Sequence, residues 1–193
     1  MRQPSTSNFL AAIFSAGILF GPAIAQAGDL EDATAARGRG DYAAALGLLR
    51  PLAEKGDTIA QHNLGVSYFQ GEGVAKDLKE AEKWFRLAAE KGHAPAQSSL
   101  GLMKLMSQDY KEALKWVQLS ADQGYAPSQV NLAIMYFEGQ GVPRDHVRAH
   151  MWMSLAALAG DANASNYRDE IAKKLSPSQV EQSMKLVKEW RPK

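Results

Sequence analysis

Ala60-Gln61-His62-Asn63-Leu64-Gly65, Ala96-Gln97-Ser98-Ser99-Leu100-Gly101 and Ser128-Gln129-Val130-Asn131-Leu132-Ala133 are three versions of one hexapeptide, set 36 and 32 residues apart. Downstream of each come a small residue (Ala81, Ala113, Ala149), a tryptophan (Trp84, Trp116, Trp152) and a closing glycine (Gly92, Gly124, Gly160). A shorter echo precedes them, with Ala45, Leu48, Ala53 and Gly56 in the same slots. Recurrence at this period marks a solenoid of helix pairs, in which each unit buries its apolar face only against its neighbours.

The change from 36 to 32 has a definite place. Repeats one and three carry Gly71-Glu72-Gly73-Val74 and Gly139-Gln140-Gly141-Val142, whereas repeat two has only Ser107-Gln108 before Asp109. Four residues are lost from a loop, and Asp77, Asp109 and Asp145 realign as N-caps of the second helix of each pair. Ala60, Leu64 and Tyr68 share one helical stripe, as do Ala81, Phe85 and Ala88-Ala89 on the partner helix. Small residues at Gly65, Ala81 and Ala89 permit close approach of the two helices, and the tryptophans fill the space between successive pairs. The pattern predicts helices over about 30–39, 42–55, 57–70, 77–91, 94–106, 109–123, 126–138, 145–159 and 161–175. A last helix starts at Ser176-Pro177-Ser178-Gln179, where serine caps, proline takes the first position and glutamine completes a capping box. It runs to about Trp190, with Val180, Met184, Val187 and Trp190 or Leu186 as its apolar stripe. The expected architecture is all-α: an α/α solenoid closed by a C-terminal capping helix.

These residues resemble the Sel1-like repeat family, relatives of the tetratricopeptide repeats. Repeat one follows the family pattern through Ala60, Leu64, Gly65, Tyr68, Gly71, Gly73, Val74, Asp77, Ala81, Trp84, Ala88, Ala89 and Gly92. Repeat three follows it with Leu132, Tyr136, Gly139, Gly141, Val142, Asp145, Ala149, Trp152 and Gly160, but has Ala133 at the first glycine. Repeat two lacks the glycine loop and has Lys104 at the tyrosine position. The resemblance covers residues 41–160, and the tail from Asp161 is similar to the endings of exported bacterial members.

The N-terminus reads as a separate segment. After Arg2 comes the apolar run Phe9 to Phe20, then Gly21-Pro22 and the small-x-small pattern Ala23-Ile24-Ala25. That order is a secretory signal peptide, with cleavage expected after Ala25. The expected organisation is therefore a signal peptide over 1–25 and one solenoid over 26–193. The solenoid divides into a partial repeat at 29–56, repeats at about 57–92, 93–124 and 125–160, and a cap at 161–193. The implied location is periplasmic or secreted.

Composition narrows the function. With 22 Lys+Arg against 21 Asp+Glu the net charge is +1, which argues against nucleic acid as the main ligand. The absence of cysteine removes disulfides, thiol nucleophiles and thiolate metal sites. No nucleophile elbow, Ser-x-x-Lys, zinc-helix or phosphate-loop motif occurs, so neither catalytic residues nor a cofactor are expected. His146 and His150 stand four apart but lack a third ligand, so they read as packing positions rather than a metal site. Arg39-Gly40-Asp41 reads as the tight turn between two helices.

What remains is a surface. In the related tetratricopeptide fold, the first helix of each pair faces the concave groove, and five of its slots reach the ligand. Carried over, they are His62, Asn63, Val66, Phe69 and Gln70 in repeat one. Repeat two supplies Ser98, Ser99, Leu102, Leu105 and Met106, and repeat three Val130, Asn131, Ile134, Phe137 and Glu138. Leu102, Leu105, Ile134 and Phe137 can alternatively pack against neighbouring helices. The reading that follows is an exported, monomeric, non-catalytic scaffold for a protein or peptide of the cell envelope or exterior. Two alternatives stand beside it: an envelope-associated hydrolase related to β-lactam or peptidoglycan chemistry, and a structural assembly subunit.

Overall fold

The computed structural model describes residues 22–161 and 163–193. Among them are ten helices: α1 (Pro22–Gly38), α2 (Tyr42–Glu54), α3 (Thr58–Gln70), α4 (Leu78–Glu90), α5 (Ala94–Met106), α6 (Tyr110–Asp122), α7 (Ala126–Glu138), α8 (His146–Leu158), α9 (Ala164–Ala172) and α10 (Pro177–Glu189). Each packs on the next through α9, and α10 turns back onto α8. The fold is the all-α solenoid that the repeat predicts. The signal-peptide reading covers residues 1–25, of which 1–21 lie outside the described residues and 22–25 fall within α1.

The helix starts follow from their caps. Asp41, Asp57, Asp77, Asp109 and Asp145 each accept a backbone N–H from the first turn of α2, α3, α4, α6 and α8. Helices α5 and α7 have no side-chain cap and begin instead with a proline in the first turn, where the missing N–H costs nothing. Ser176 and Gln179 form the reciprocal capping box of α10. Helices α2, α4, α6 and α8 each stop at a glycine with positive φ, Gly56 (95°), Gly92 (86°), Gly124 (88°) and Gly160 (94°), which turns the chain into the next odd helix. Arg39-Gly40-Asp41 is such a turn as well, with Gly40 at φ 79°.

Packing within a pair depends on one small residue. A Cβ on Gly65 would lie 2.6 Å from the Phe85 ring, and one on Gly101 would lie 2.6 Å from Val117. The corresponding residue of α8 is Met153, an unbranched side chain that adapts its shape, and there the glycine is replaced by Ala133. Between pairs the tryptophans do the filling. Trp84 is buried with Leu46, Leu49, Leu52, Ala60 and Leu64, and Trp116 with Phe85, Ala88, Ala89, Ala96 and Leu100. Trp152 is buried in the third cluster, where the half-buried Trp190 meets it edge-on at 6.3 Å between ring centroids.

Three details depart from the sequence reading. Helix α1 extends N-terminal to position 30, with helical backbone described from Pro22 onward across an alanine-rich stretch. Helix α9 is shorter, spanning Ala164–Ala172. On α10 the buried face is Ser183 and Val187, flanked by the half-buried Leu186 and Trp190, while Met184 points outward. A serine in the buried stripe hides the face from a purely apolar count.

Because Trp116 closes the seam between repeats one and two, Trp116→Ala should lower unfolding stability by about 3–5 kcal/mol. Urea denaturation followed by circular dichroism checks this, and an unmoved midpoint would place that side chain outside the core.

Candidate functional site

The predicted surface slots all fall on α3, α5 and α7, but they divide into two groups. Leu102, Met106 and Ile134 are exposed, at 45 %, 64 % and 42 %, and Gln70 and Glu138 are exposed with them. Val66 and Phe69 are half-buried against the middle cluster with Met103, and Leu105, Val130 and Phe137 against the last one. Asn63, Ser99 and Asn131 are half-buried, while Ser98 is buried. Leu105 and Phe137 therefore pack against neighbouring helices, whereas Leu102 and Ile134 face outward.

Two hollows open beside these slots. One, of about 280 Å³, lies where α7 meets α9 and is lined by Ile134, Phe137, Met153, Tyr167 and Ile171, with Glu138, Glu170 and Lys174 at its edge. Tyr167 is 56 % exposed. Neither Tyr167 nor Ile171 was reached by the sequence reading, since α9 lies beyond the last full repeat; their spacing of four was the available signal. The second hollow, of about 330 Å³, lies between α3, α4 and α5 and is lined by Phe69, Leu78, Met103, Met106 and Ser107 with Lys79, Glu82 and Lys104.

Polar groups near the slots are mostly committed to partners. His62 is half-buried, its Nε2 lies 3.1 Å from Ser99 Oγ, and its ring meets His93 edge-on at 5.4 Å. Burial first, then the nearby His93 and Arg37, pushes its pKa down to about 4, so the ring is neutral at pH 7. Arg37 of α1 donates to Gln70 Oε1 (2.9 Å) and pairs with Glu72 at the same distance. Lys104 replaces the repeat tyrosine with an ion pair to Glu82 (2.7 Å), which also accepts Arg86 (2.9 Å). Arg86 continues to Glu112 (3.0 Å), and Glu112 accepts Trp116 Nε1–H (3.1 Å). Hydrogen bonds from Lys104 and Arg86 hold the Glu82 carboxyl below its usual range, and those from Trp116 and Arg86 do the same to Glu112.

His146 and His150 serve packing. His150 is buried with Nδ1 2.7 Å from Ser183 Oγ of α10, and His146 lies over the Phe137 ring at 5.0 Å between centroids. Among the described residues no three histidine or carboxylate groups converge as metal ligands, and no described helix is long and apolar enough to cross a membrane.

Comparison with known proteins bears on this geometry. The Sel1 repeat profile matches residues 58–93, 94–125 and 126–161. The crystal structure of a Sel1 repeat protein from Oxalobacter formigenes superposes with a TM-score of 0.67 at 31 % identity, over 79 % of this chain and 67 % of that one. A protective antigen of uropathogenic Escherichia coli, described as displaying an SLR fold, aligns at 23 % identity and a TM-score of 0.42, over 86 % of this chain and 53 % of its own. An F-box protein of Arabidopsis thaliana is 41 % identical over 64 residues, which is 33 % of this chain; the match spans only 18 % of that protein.

The histidine geometry fixes a pH response. His62 titrates near 4 in the fold and near its ordinary 6.5 when unfolded, so its contribution is intact above 6.5 and is lost as pH falls from 6.5 toward 4. A loss of about 3 kcal/mol over that window follows. Glu82 and Glu112 add their losses only below their ordinary value of 4.5. Chemical denaturation at pH 7 and pH 5 should therefore differ, and His62→Gln should remove the His62 share of that difference, leaving the part due to His93 and His150, whose pKa values burial also lowers.

Proposed function

We propose, since the chain belongs to the Sel1 repeat family, that it is an exported, non-catalytic scaffold that binds a protein or peptide through the groove formed by α3, α5, α7 and α9. The observation that carries this reading is the run of exposed apolar side chains Leu102, Met106, Ile134 and Tyr167 on helices that otherwise bury such residues. Isolated exposed apolar residues are ordinary, but Leu102 and Ile134 hold the same repeat slot, and Ile134 and Tyr167 line one apolar hollow, a pattern that marks an interaction surface. Asn63 and Asn131, half-buried at equivalent positions, can pair with the backbone of an extended ligand. Glu138, Glu170 and Lys174 supply a polar rim around the apolar floor at the α7–α9 end, the composition of a protein-recognition patch. Export rests on the signal-like order of residues 1–25, with its apolar run and Ala23-Ile24-Ala25 ending.

Two measurements test the reading. The envelope-derived protein should have an intact mass corresponding to cleavage after Ala25, and a full-length species held in the membrane would overturn export. For recognition, Leu102→Glu and Ile134→Glu place a carboxylate on the apolar floor at positions already open to solvent. Both variants should melt near the parent temperature and lose at least about a hundredfold in affinity for the envelope protein the parent captures. Full retention by both would move the site elsewhere.

A further inference from the structure

The glycine loops of repeats one and three do more than connect helices. Gly73 (φ 72°) lies flat on the first turn of α2, where a Cβ would come within 2.8 Å of Leu46 and 2.9 Å of Tyr42. Val74 beside it packs into the cluster containing Leu46. Gly141 (φ 72°) repeats this on α6, its Cβ position 2.5 Å from the Tyr110 carbonyl oxygen, with Val142 and Leu114 packed against the same cluster. Each such loop thus covers the first turn of the preceding even helix and seats a valine there.

Repeat two has no such loop, so the first turn of α4 is left uncovered. Leu78, in the slot of Tyr42 and Tyr110, is 46 % exposed, and the hollow lined by Phe69, Leu78, Met103 and Met106 stands where a valine would sit. The position of Leu46 and Leu114 is held by Glu82, whose charge is met by Lys104 and Arg86. Two cations beside the hollow are not met. Lys79 lines it and Lys76 lies 5.6 Å from the Phe69 ring centroid, and neither forms an ion pair among the described residues.

We infer that this hollow is a docking pocket for a short acidic–aliphatic segment of a protein partner. The aliphatic side chain takes the seat that Val74 and Val142 occupy in the flanking repeats, and a neighbouring carboxylate meets Lys76 and Lys79. The inference rests on the protein-binding reading above and assigns the chemistry of one part of the ligand. Apolar insertion provides the contact area, while the uncompensated cations select acidic over basic segments.

The test uses the full chain with methyl-labelled methionines and a blocked peptide, Gly-Glu-Gly-Val-Asp-Leu, as probe. Saturable shifts are expected at the Met103 and Met106 methyls, with affinity at least about tenfold weaker for the peptide whose acids are changed to amides. Leu78→Glu, at an exposed position, should weaken binding by at least about tenfold as well. Replacing Ser107-Gln108 with the six residues of loop 71–76 should abolish the shifts, because the pocket is then filled from within. Leu158→Glu, at an exposed position lining neither hollow, should leave this titration unchanged. Absence of shifts, equal binding of the amide peptide, or binding that survives both Leu78→Glu and the loop graft overturns the inference. Self-association that the graft abolishes would assign the hollow to a second copy and overturn it too. Loss of binding in Ile134→Glu with retention in the graft would refute the pocket while leaving the broader scaffold reading in place.

Discussion

The carbonyl oxygen of Ala53, at the end of α2, takes two donors: the N–H of Gly56 in the turn (3.0 Å) and the side-chain amide of Gln61 from the next helix (3.0 Å). The same pair of bonds recurs at Ala89, from Gly92 and Gln97, and at Ala121, from Gly124 and Gln129. In all three the glutamine is buried. A buried amide left without a partner is destabilising by a few kcal/mol, so this bond admits only those orientations of the next helix that complete it. The tie therefore does more than contribute its own energy. It sets the angle at which one helix pair leaves the last, and with it the space that each tryptophan must fill.

Inside a pair the constraint is steric. Gly65 and Gly101 bring α3 against Phe85 and α5 against Val117, and that closeness positions the odd helices with their outer faces free. The seam between repeats one and two adds a third device, the chain Lys104–Glu82–Arg86–Glu112–Trp116, where Lys104 stands in for the tyrosine found at Tyr68 and Tyr136. Tyr68 accepts Arg50 and Tyr136 accepts Arg148 in the flanking repeats, so a cation meets that register by a different route each time.

Most of the architecture was legible because it is written repeatedly. Aspartate caps, closing glycines and tryptophans recur at fixed offsets, and each has a local physical role that survives without the rest of the molecule. What recurs but acts at a distance was harder to read. Gln61, Gln97 and Gln129 stood in the aligned hexapeptides, yet nothing local identifies a surface-type residue as a buried bridge to a carbonyl eight positions earlier. Residues outside the repeat gave least. The outward turn of Met184 and the burial of Ser183 follow from the hydrogen bond to His150, a contact between residues 33 positions apart. Tyr167 and Ile171 enter the α7–α9 hollow from a helix that no repeat template covers.

The positive-φ glycines at the even-to-odd joints carry a geometric consequence. Gly56, Gly92, Gly124 and Gly160 have φ between 86° and 95°, so the backbone turns in the same left-handed conformation at every such joint. Repetition of one step generates a screw, with a pitch and handedness that belong to the step rather than to any single unit. The four-residue deletion of repeat two lies at the other joint, between α5 and α6, where Gln108 takes the left-handed conformation (φ 60°) in place of a glycine. A mutation at an odd-to-even loop can therefore carve or fill the surface at one place, while a mutation at an even-to-odd glycine would bend the axis of the whole molecule.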